Sequence, residues 1–206
     1  MKMKYEVLTI AREYGSGGAE IARVIAASLG WKLLDNALIA EIGKRAKVPA
    51  REAADLDELV DPWVHRLTRP LWGRGGDGYS AIAPVDLFDA GAAAGLAEQI
   101  IKETYRAGRC VIVGRGAQCV LQGKEGVFHA FVYASWADRV RRLQSRLAPG
   151  TNVEETLRSM EAERLGYVRF HYGKNRLDPH LYDLMINSKI RPEAVARLIV
   201  LAMEAV

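Results

Sequence analysis

The stretch Ile10-Ala11-Arg12-Glu13-Tyr14-Gly15-Ser16-Gly17-Gly18-Ala19-Glu20 decides the fold of this chain. A short apolar run precedes it, and apolar residues at helical spacing follow it, from Ile21 to Leu29. Strand, glycine-rich turn and helix in this order are typical of a phosphate-binding loop, because glycine lets backbone N–H groups face an anion. The positive end of the helix dipole strengthens that attraction. We therefore predict that residues 12–18 bind phosphate.

This loop departs from the Walker A pattern G-x-x-x-x-G-K-[ST] where the pattern carries its reactive side chains. In that pattern the Lys reaches the β- and γ-phosphates, and the Ser or Thr hydroxyl binds Mg²⁺. Here Gly17 is followed by Gly18 and Ala19, which supply neither group. The sequence thus indicates a phosphate binder more strongly than it indicates a kinase.

Composition limits the class of protein. With 206 residues, of which 50% are hydrophobic, the chain can bury a full core in one domain. The net charge of +4 suits anionic ligands, but the dense basic run of a nucleic-acid binder is missing. No stretch approaches the roughly 18 apolar residues of a membrane span. Cys110 and Cys119 lack metal-type spacing, and we expect free thiols in a cytoplasmic protein.

Short apolar runs alternate with segments of helical periodicity along the chain. We predict strands at 5–10, 31–34, 110–113, 127–133 and 182–187, and helices at 18–29, 37–46, 50–60, 87–107, 137–147, 152–166 and 191–205. A long Gly- and Pro-rich loop is expected at 68–84, and irregular structure at 167–181. This alternation predicts a parallel sheet with helices on both faces, which binds ligands at the carboxyl ends of its strands. Residues 12–18, Asp35 and residues 114–116 all fall at such ends.

Further motifs support a family resemblance. They are Leu34-Asp35, Val113-Gly114-Arg115-Gly116-Ala117, Glu163-Arg164 and Tyr182-Asp183-Leu184-Met185-Ile186-Asn187-Ser188. With the glycine-rich loop, they make the chain resemble the cytidylate kinase-like family, a branch of the P-loop nucleoside monophosphate kinases, over nearly its whole length. The resemblance implies an α/β fold: a P-loop NTPase-like three-layer sandwich with a five-stranded parallel sheet. It also implies a single domain over 1–206, with a helical acceptor-binding insertion at 36–90 and an Arg-rich lid-like region at 148–181.

Several positions differ from authentic cytidylate kinases. Gly18 aligns with their P-loop Lys, and Gly116 with the Asp that follows their Gly-Arg pair. Leu165-Gly166-Tyr167 stands where they carry two Asp and an Arg, and Ala19 where the kinase-like branch usually has Arg. Without the lysine, the resemblance implies a slow enzyme or an unusual one.

On the donor side, the loop residues are the expected nucleotide contacts. They are Arg12, Gly15, Ser16, Gly17 and Gly18. The glycines and Ser16 would cradle the phosphates, and Arg12 would fold over them. For Arg12 the alternative is a salt bridge to Glu13 or Glu20, and for the glycines a tight structural turn.

On the acceptor side, Arg115 lies between two glycines and would clamp a monophosphate bidentately, or else pack on a neighbouring loop. Asp35 would accept a hydrogen bond from a base or sugar hydroxyl, or equally cap a helix beginning near Ala37. Arg142 and Arg164 are the candidate catalytic arginines, because they align best with the lid arginines of the family. Most other charges of such helices form a solvated face.

These expectations combine into one principal function and two rivals. The principal one transfers the γ-phosphate of ATP, with Mg²⁺ carried by the nucleotide, to a CMP-like nucleoside monophosphate or related small acceptor. The expected partner is a nucleotide or other small phosphorylated ligand; a membrane and nucleic acid are not expected, and no protein metal site is predicted. One rival is a regulatory pseudokinase that binds nucleotide without transferring phosphate. The other binds nucleic acid through residues 139–146, with an affinity that falls steeply with salt.

Overall fold

A computed structural model of the chain describes residues 4–35 and 85–205. The predictions that fall on residues 36–84 lie outside the described residues. They comprise the helices at 37–46 and 50–60, the Gly- and Pro-rich loop and most of the acceptor-binding insertion.

One all-parallel sheet runs through the described residues. Its strands are β1 (Val7–Arg12), β2 (Lys32–Leu34), β3 (Cys110–Val113), β4 (Val127–Tyr133) and β5 (Leu184–Asn187). The order β2-β3-β1-β4-β5 puts β1 at the centre, where Ile10 pairs with Val113 on one side and Ala130 on the other. The loop that leaves β1 therefore begins at the middle of the sheet, beside the ends of β3 and β4.

Helices connect these strands. They are α1 (Gly18–Leu29), α2 (Val85–Ala107), α3 (Ala117–Val120), α4 (Trp136–Gln144), α5 (Val153–Tyr172) and α6 (Pro192–Glu204), with a 3₁₀ turn at Pro179–Leu181. Gly30 ends α1 in the left-handed conformation at φ 63°, which glycine adopts readily at helix C-termini. The side chains of Ser135 and Asn152 accept hydrogen bonds from first-turn amides of α4 and α5. Within the described ranges, no helix is long and apolar enough to cross a bilayer.

The core lies on both faces of the sheet, because successive residues of a strand point to opposite faces. On one face Leu8 and Ile10 pack with Ile21 of α1 and Ile199 of α6. On the other face Val7 belongs to a second cluster, which includes Ile101, Ile112 and Leu121. Each such aliphatic side chain contributes about 1.5–3 kcal/mol when it is fully buried. The predicted parallel sheet with helices on both sides is confirmed.

Two polar residues of the sheet have structural partners. His129 on β4 is buried, and its Nδ1 lies 2.7 Å from the Thr9 hydroxyl. The backbone N–H of His129 donates to the Asp183 carboxylate at 2.7 Å. Both contacts therefore join β4 to the neighbouring segments of the sheet.

Helix α5 is longer than predicted. It continues to Tyr172, so the prediction of irregular structure is wrong for residues 167–172. Gly166 in a helix costs about 1 kcal/mol relative to alanine. Burial of Tyr167 and Val168 offsets that cost, and Gly173, at φ 63°, ends the helix.

Candidate functional site

The glycine-rich loop is a tight turn between β1 and α1. Gly15 and Gly17 have φ of 77° and 80°, in the left-handed region that favours glycine. The Ser16 amide and hydroxyl both donate to the Glu13 carbonyl, at 3.3 and 2.8 Å. Ser16 is buried, so its hydroxyl serves the turn itself.

The start of α1 offers N–H groups to an anion. The first amides of any helix have no acceptor within that helix. The cap residue is Gly17, and no described side chain caps this end of α1. The position also lies at the carboxyl end of the central strand. This end of α1 therefore combines free amides with the positive end of a helix dipole.

Arg142 on α4 binds the loop through its carbonyl oxygens. Its Nη1 donates to the Ser16 carbonyl at 2.9 Å and to the Ser188 hydroxyl at 3.0 Å. The Ser188 hydroxyl in turn donates to the Ser16 carbonyl at 2.6 Å. Arg142 thus anchors the loop from the side of its carbonyl groups, and its catalytic role stays a prediction. Ser188 was not recognised as a site residue, although it ends the motif that begins at Tyr182.

A cluster of buried ion pairs lies behind the loop. Glu161 of α5 accepts a hydrogen bond from the Tyr14 amide and pairs with Arg176 at 2.9 Å. The buried Arg139 of α4 lies 3.5 Å from both Glu13 and Glu161. Glu161 and Arg176 were missed in the sequence. The spacing of Glu161 and Arg164, three residues apart and so on one helix face, was the available signal.

Two arginines converge on one carbonyl oxygen at the start of the loop. Arg164 and Arg176 donate to the Arg12 carbonyl at 3.0 and 2.6 Å. The Arg164 guanidinium lies over the Tyr14 ring, 5.2 Å from its centroid. Burial, and then repulsion by Arg12 and Arg176, lower the pKa of Arg164. Glu161 pairs with Arg176 and Asp35 pairs with Arg12, so carboxylates balance the charge of these three guanidinium groups only in part, which favours an anionic ligand.

The Arg12 side chain crosses the loop and ends beside β2 and β3. A Cβ added to Gly18 would lie 2.6 Å from the Arg12 Cβ. A Cβ added to Gly114 would lie 1.9 Å from Arg12 Nη1. Its Nη2 pairs with the Asp35 carboxylate at 3.7 Å. Arg12 and Asp35, predicted on the donor and acceptor sides, are therefore in contact.

The turn after β3 has three successive residues in the left-handed region. Gly114, Arg115 and Gly116 have φ of 79°, 54° and 70°. The Tyr172 ring covers Gly116, where an added Cβ would lie 2.2 Å from Cε2. A non-glycine residue in this region is strained, and such strain is concentrated at functional sites.

The structure thus brings Arg12, Asp35 and Arg164 together with the loop glycines at the carboxyl end of β1. Arg115 lies on the same turn as Gly114, against which the Arg12 guanidinium rests. Arg142 contacts the opposite, carbonyl side of the loop.

Comparison with protein families gives one result that spans most of the chain. The model of the cytidylate kinase-like family matches residues 7–190. No curated protein sequence gives a significant match.

Solved structures share the fold at low sequence identity. An uncharacterised protein from Eubacterium ventriosum superposes with a TM-score of 0.67 at 18% identity, over 97% of this chain and 99% of that one. A shikimate kinase from Acinetobacter baumannii, in complex with shikimate, gives 0.54 at 14% identity, over 96% and 92%. A gluconokinase from Sinorhizobium meliloti gives 0.54 at 10% identity, over 98% and 93%.

Proposed function

The chain belongs to the cytidylate kinase-like family, and we propose that it transfers the γ-phosphate of ATP to a CMP-like nucleoside monophosphate or related small acceptor. The observation that carries this proposal is the convergence of three features at the carboxyl end of β1. They are the uncapped start of α1, the Arg12 guanidinium and the Arg164 guanidinium. We place the reaction in the cytoplasm, where ATP is available.

The loop fits the phosphates of a nucleotide. Gly15 and Gly17 hold the turn in left-handed conformations, and the first amides of α1 would bind phosphate oxygens. When bound, Mg²⁺–ATP would supply the phosphoryl group and a metal charge that offsets the charge of the phosphates. The Ser16 hydroxyl donates to Glu13. We therefore assign the metal to the nucleotide rather than to a side chain of the loop.

The acceptor would lie beside the turn after β3. Arg115 lies there, and a guanidinium matches a phosphate by two parallel hydrogen bonds. Asp35, at the end of β2, is the neighbouring acceptor group and holds Arg12. Residues 36–90 would complete the acceptor site. In this arrangement donor and acceptor would lie at the ends of the adjacent strands β1 and β3, which supports the close positioning that phosphoryl transfer needs.

Arg164 would stabilise the charge that develops on the transferred group. Phosphoryl transfer depends almost entirely on positioning and electrostatic stabilisation. Arg164 is held by the Arg12 carbonyl and the Tyr14 ring, so its position needs little reorganisation. Arg142 is the second candidate, although its guanidinium binds loop carbonyls in this structure.

A pseudokinase that binds nucleotide without turning it over is the alternative. Gly18 favours it, because this position carries the catalytic cation in the Walker A pattern. The two functions share a nucleotide site and differ in turnover alone.

A coupled assay of phosphoryl transfer tests both. Purified protein would be given Mg²⁺–ATP and a panel of nucleoside monophosphates that includes CMP and dCMP. Shikimate and gluconate complete the panel, since two structural neighbours are kinases named for these compounds. The variant Arg115→Ala tests the acceptor site, and Arg141→Ala, an exposed arginine paired with Asp138, is the matched control.

Turnover that is lost in Arg115→Ala and kept in Arg141→Ala supports the phosphotransferase and identifies its acceptor. Nucleotide binding without turnover of any acceptor supports the pseudokinase. Absence of nucleotide binding contradicts both.

A further inference from the structure

Position 18 needs a glycine because a neighbouring side chain leaves no space for a Cβ, and not because of its backbone conformation. It lies in the first turn of α1, and unlike Gly15 and Gly17 it does not have a positive φ. A larger residue would be accepted there if space allowed. The space is taken by Arg12, whose Cβ and Cγ would lie 2.6 and 3.0 Å from a Cβ at position 18. Side chains at 12 and 18 therefore exclude each other.

The same two positions are exchanged relative to the Walker A pattern. In G-x-x-x-x-G-K the first glycine precedes the lysine by six positions. With Gly17 as the second glycine, the first falls on Arg12 and the lysine on Gly18. This chain has an arginine where the pattern has glycine, and a glycine where the pattern has lysine.

The path of Arg12 leads along the loop. Its stem occupies the space above Gly18, and its guanidinium reaches Gly114 and Asp35 at the ends of the neighbouring strands. Gly114 accommodates Nη1 only because it lacks a Cβ. The cation therefore lies between the start of α1 and the turn that carries Arg115.

We propose that Arg12 replaces the missing P-loop lysine, and that its guanidinium, positioned by Asp35 and Gly114, neutralises the phosphates of the bound nucleotide. This inference rests on the proposed function, because it names the cation of that same site. Arg12 supplies the positive charge that lysine supplies in the Walker A pattern. Position 18 is glycine because the aliphatic part of the Arg12 side chain occupies the space that a larger residue would need.

The charges around Arg12 suit this role. Its backbone carbonyl accepts from Arg164 and Arg176, which fixes the residue from which the side chain starts. In the absence of a ligand, the Asp35 carboxylate balances the positive charge of the Arg12 guanidinium. A phosphate would then compete with the carboxylate, since guanidinium pairs with either group through the same donors.

A double-variant cycle tests the exchange. Arg12→Gly removes the cation, Gly18→Lys adds one into occupied space, and the double variant restores the Walker A residues at both positions. Affinity for Mg²⁺–ATP and inorganic tripolyphosphate would be measured by calorimetry, with thermal unfolding as the folding control. Arg12→Met is the second route, because it removes the charge and keeps an aliphatic stem. Arg141→Ala is the matched control.

We expect Arg12→Gly and Arg12→Met to bind tripolyphosphate about 10–100-fold more weakly, the loss typical of one charge-assisted contact. Gly18→Lys alone should also bind more weakly, because the lysine meets the Arg12 stem. The double variant should bind more tightly than either single variant. Tighter binding by the double variant is expected only if the side chains at positions 12 and 18 compete for the same space and supply the same charge.

Two results distinguish failure of the proposed function from failure of the Arg12 proposal. If the unaltered protein binds neither Mg²⁺–ATP nor tripolyphosphate, the proposed function itself is wrong. If it binds both, and Arg12→Met binds equally well or the double variant binds no better than Gly18→Lys, the replacement is refuted while the nucleotide site stands.

Discussion

Glu161, in the middle of α5, accepts a hydrogen bond from the backbone N–H of Tyr14 in the phosphate loop. The same carboxylate forms a salt bridge with the buried Arg176 at 2.9 Å. Through Arg176, the pairing also reaches the Arg12 carbonyl. One acidic side chain thus ties the predicted lid-like region to the loop it would cover.

Replacing Glu161 by Ala should destabilise the fold. The change leaves Arg176 and Arg139 buried with one carboxylate fewer, and breaking a buried pair in this way costs about 3–5 kcal/mol. Glu154→Ala is the control, since the exposed Glu154–Arg158 pair contributes at most about 1 kcal/mol. Urea unfolding measures both, and equal losses in the two variants would contradict the buried role of Glu161.

Ser188→Ala should loosen the phosphate loop. It removes the hydroxyl that donates to the Ser16 carbonyl and accepts from Arg142 Nη1, and each hydrogen bond lost in this way costs about 0.5–1.5 kcal/mol. Nucleotide affinity should fall with stability, because the loop loses an anchor. Ser28→Ala removes an exposed hydroxyl that bonds only within α1, and it should change neither. Nucleotide titration and thermal unfolding give the comparison.

Gly116→Ala and Gly123→Ala form a matched pair. Their φ values are 70° and 72°, so both variants bear the left-handed cost of about 1–2 kcal/mol. Only Gly116 is covered by the Tyr172 ring, whereas an added Cβ at Gly123 meets nothing within 4 Å. Gly116→Ala should therefore be destabilised by about 1–3 kcal/mol more, the usual cost of overpacking. Equal losses would show that Tyr172 does not pack there.

Arg164→Lys should reduce turnover more than nucleotide affinity. Lysine keeps the charge but lacks the planar fork that reaches the Arg12 carbonyl and covers Tyr14. Loss of one preorganised hydrogen-bond donor lowers kcat by about 100–1,000-fold. Steady-state kinetics with separately measured ATP binding test this, and a change confined to ATP affinity would remove Arg164 from the catalytic candidates.

Stability should depend on pH through His129. Burial lowers the pKa of His129 from 6.5, with Asp183 and a backbone hydrogen bond opposing the shift. The unfolded chain therefore binds more protons between the lowered pKa of the folded state and pH 6.5, so stability rises with pH through that interval and levels off above it. Burial lowers the pKa of His171 as well, in the same direction.

Denaturation between pH 5 and 8 would separate these two histidines. His129→Asn should flatten part of the slope, at the cost of the bond to Thr9. His171→Asn should remove a smaller share, since His171 is only half-buried. A slope unchanged in the His129 variant would mean that other groups set the pH dependence.

Local pattern was enough to predict much of the fold. The bounds of α1, β3 and β4 agree with the sequence prediction, because apolar periodicity and glycine ends are local signals. The end of α5 was placed too early at Gly166, since the packing of Tyr167 and Val168 is a tertiary effect.

The candidate site was predictable in part, for a related reason. Arg12, Asp35 and Arg164 are marked by motifs at strand ends or in the lid-like helix, and the structure brings them together. Glu161 and Arg176 were missed because their partners lie far away along the chain. The competition of Arg12 with a side chain at position 18 depends on three-dimensional packing, which no spacing in the sequence reveals.

Helix α5 contacts two loops of the candidate site and so sets the distance between them. Glu161 touches the loop after β1 and Tyr172 touches the turn after β3, and both belong to this one helix. At 1.5 Å per residue, the helical rise between them is about 16 Å. Inserting one residue between these positions would shift one contact by about 1.5 Å along the axis and turn it about 100° around the axis, so the two loops could no longer be engaged together. The length of this segment is therefore more constrained than its composition. One continuous helix fixes the distance between the loop after β1 and the turn after β3.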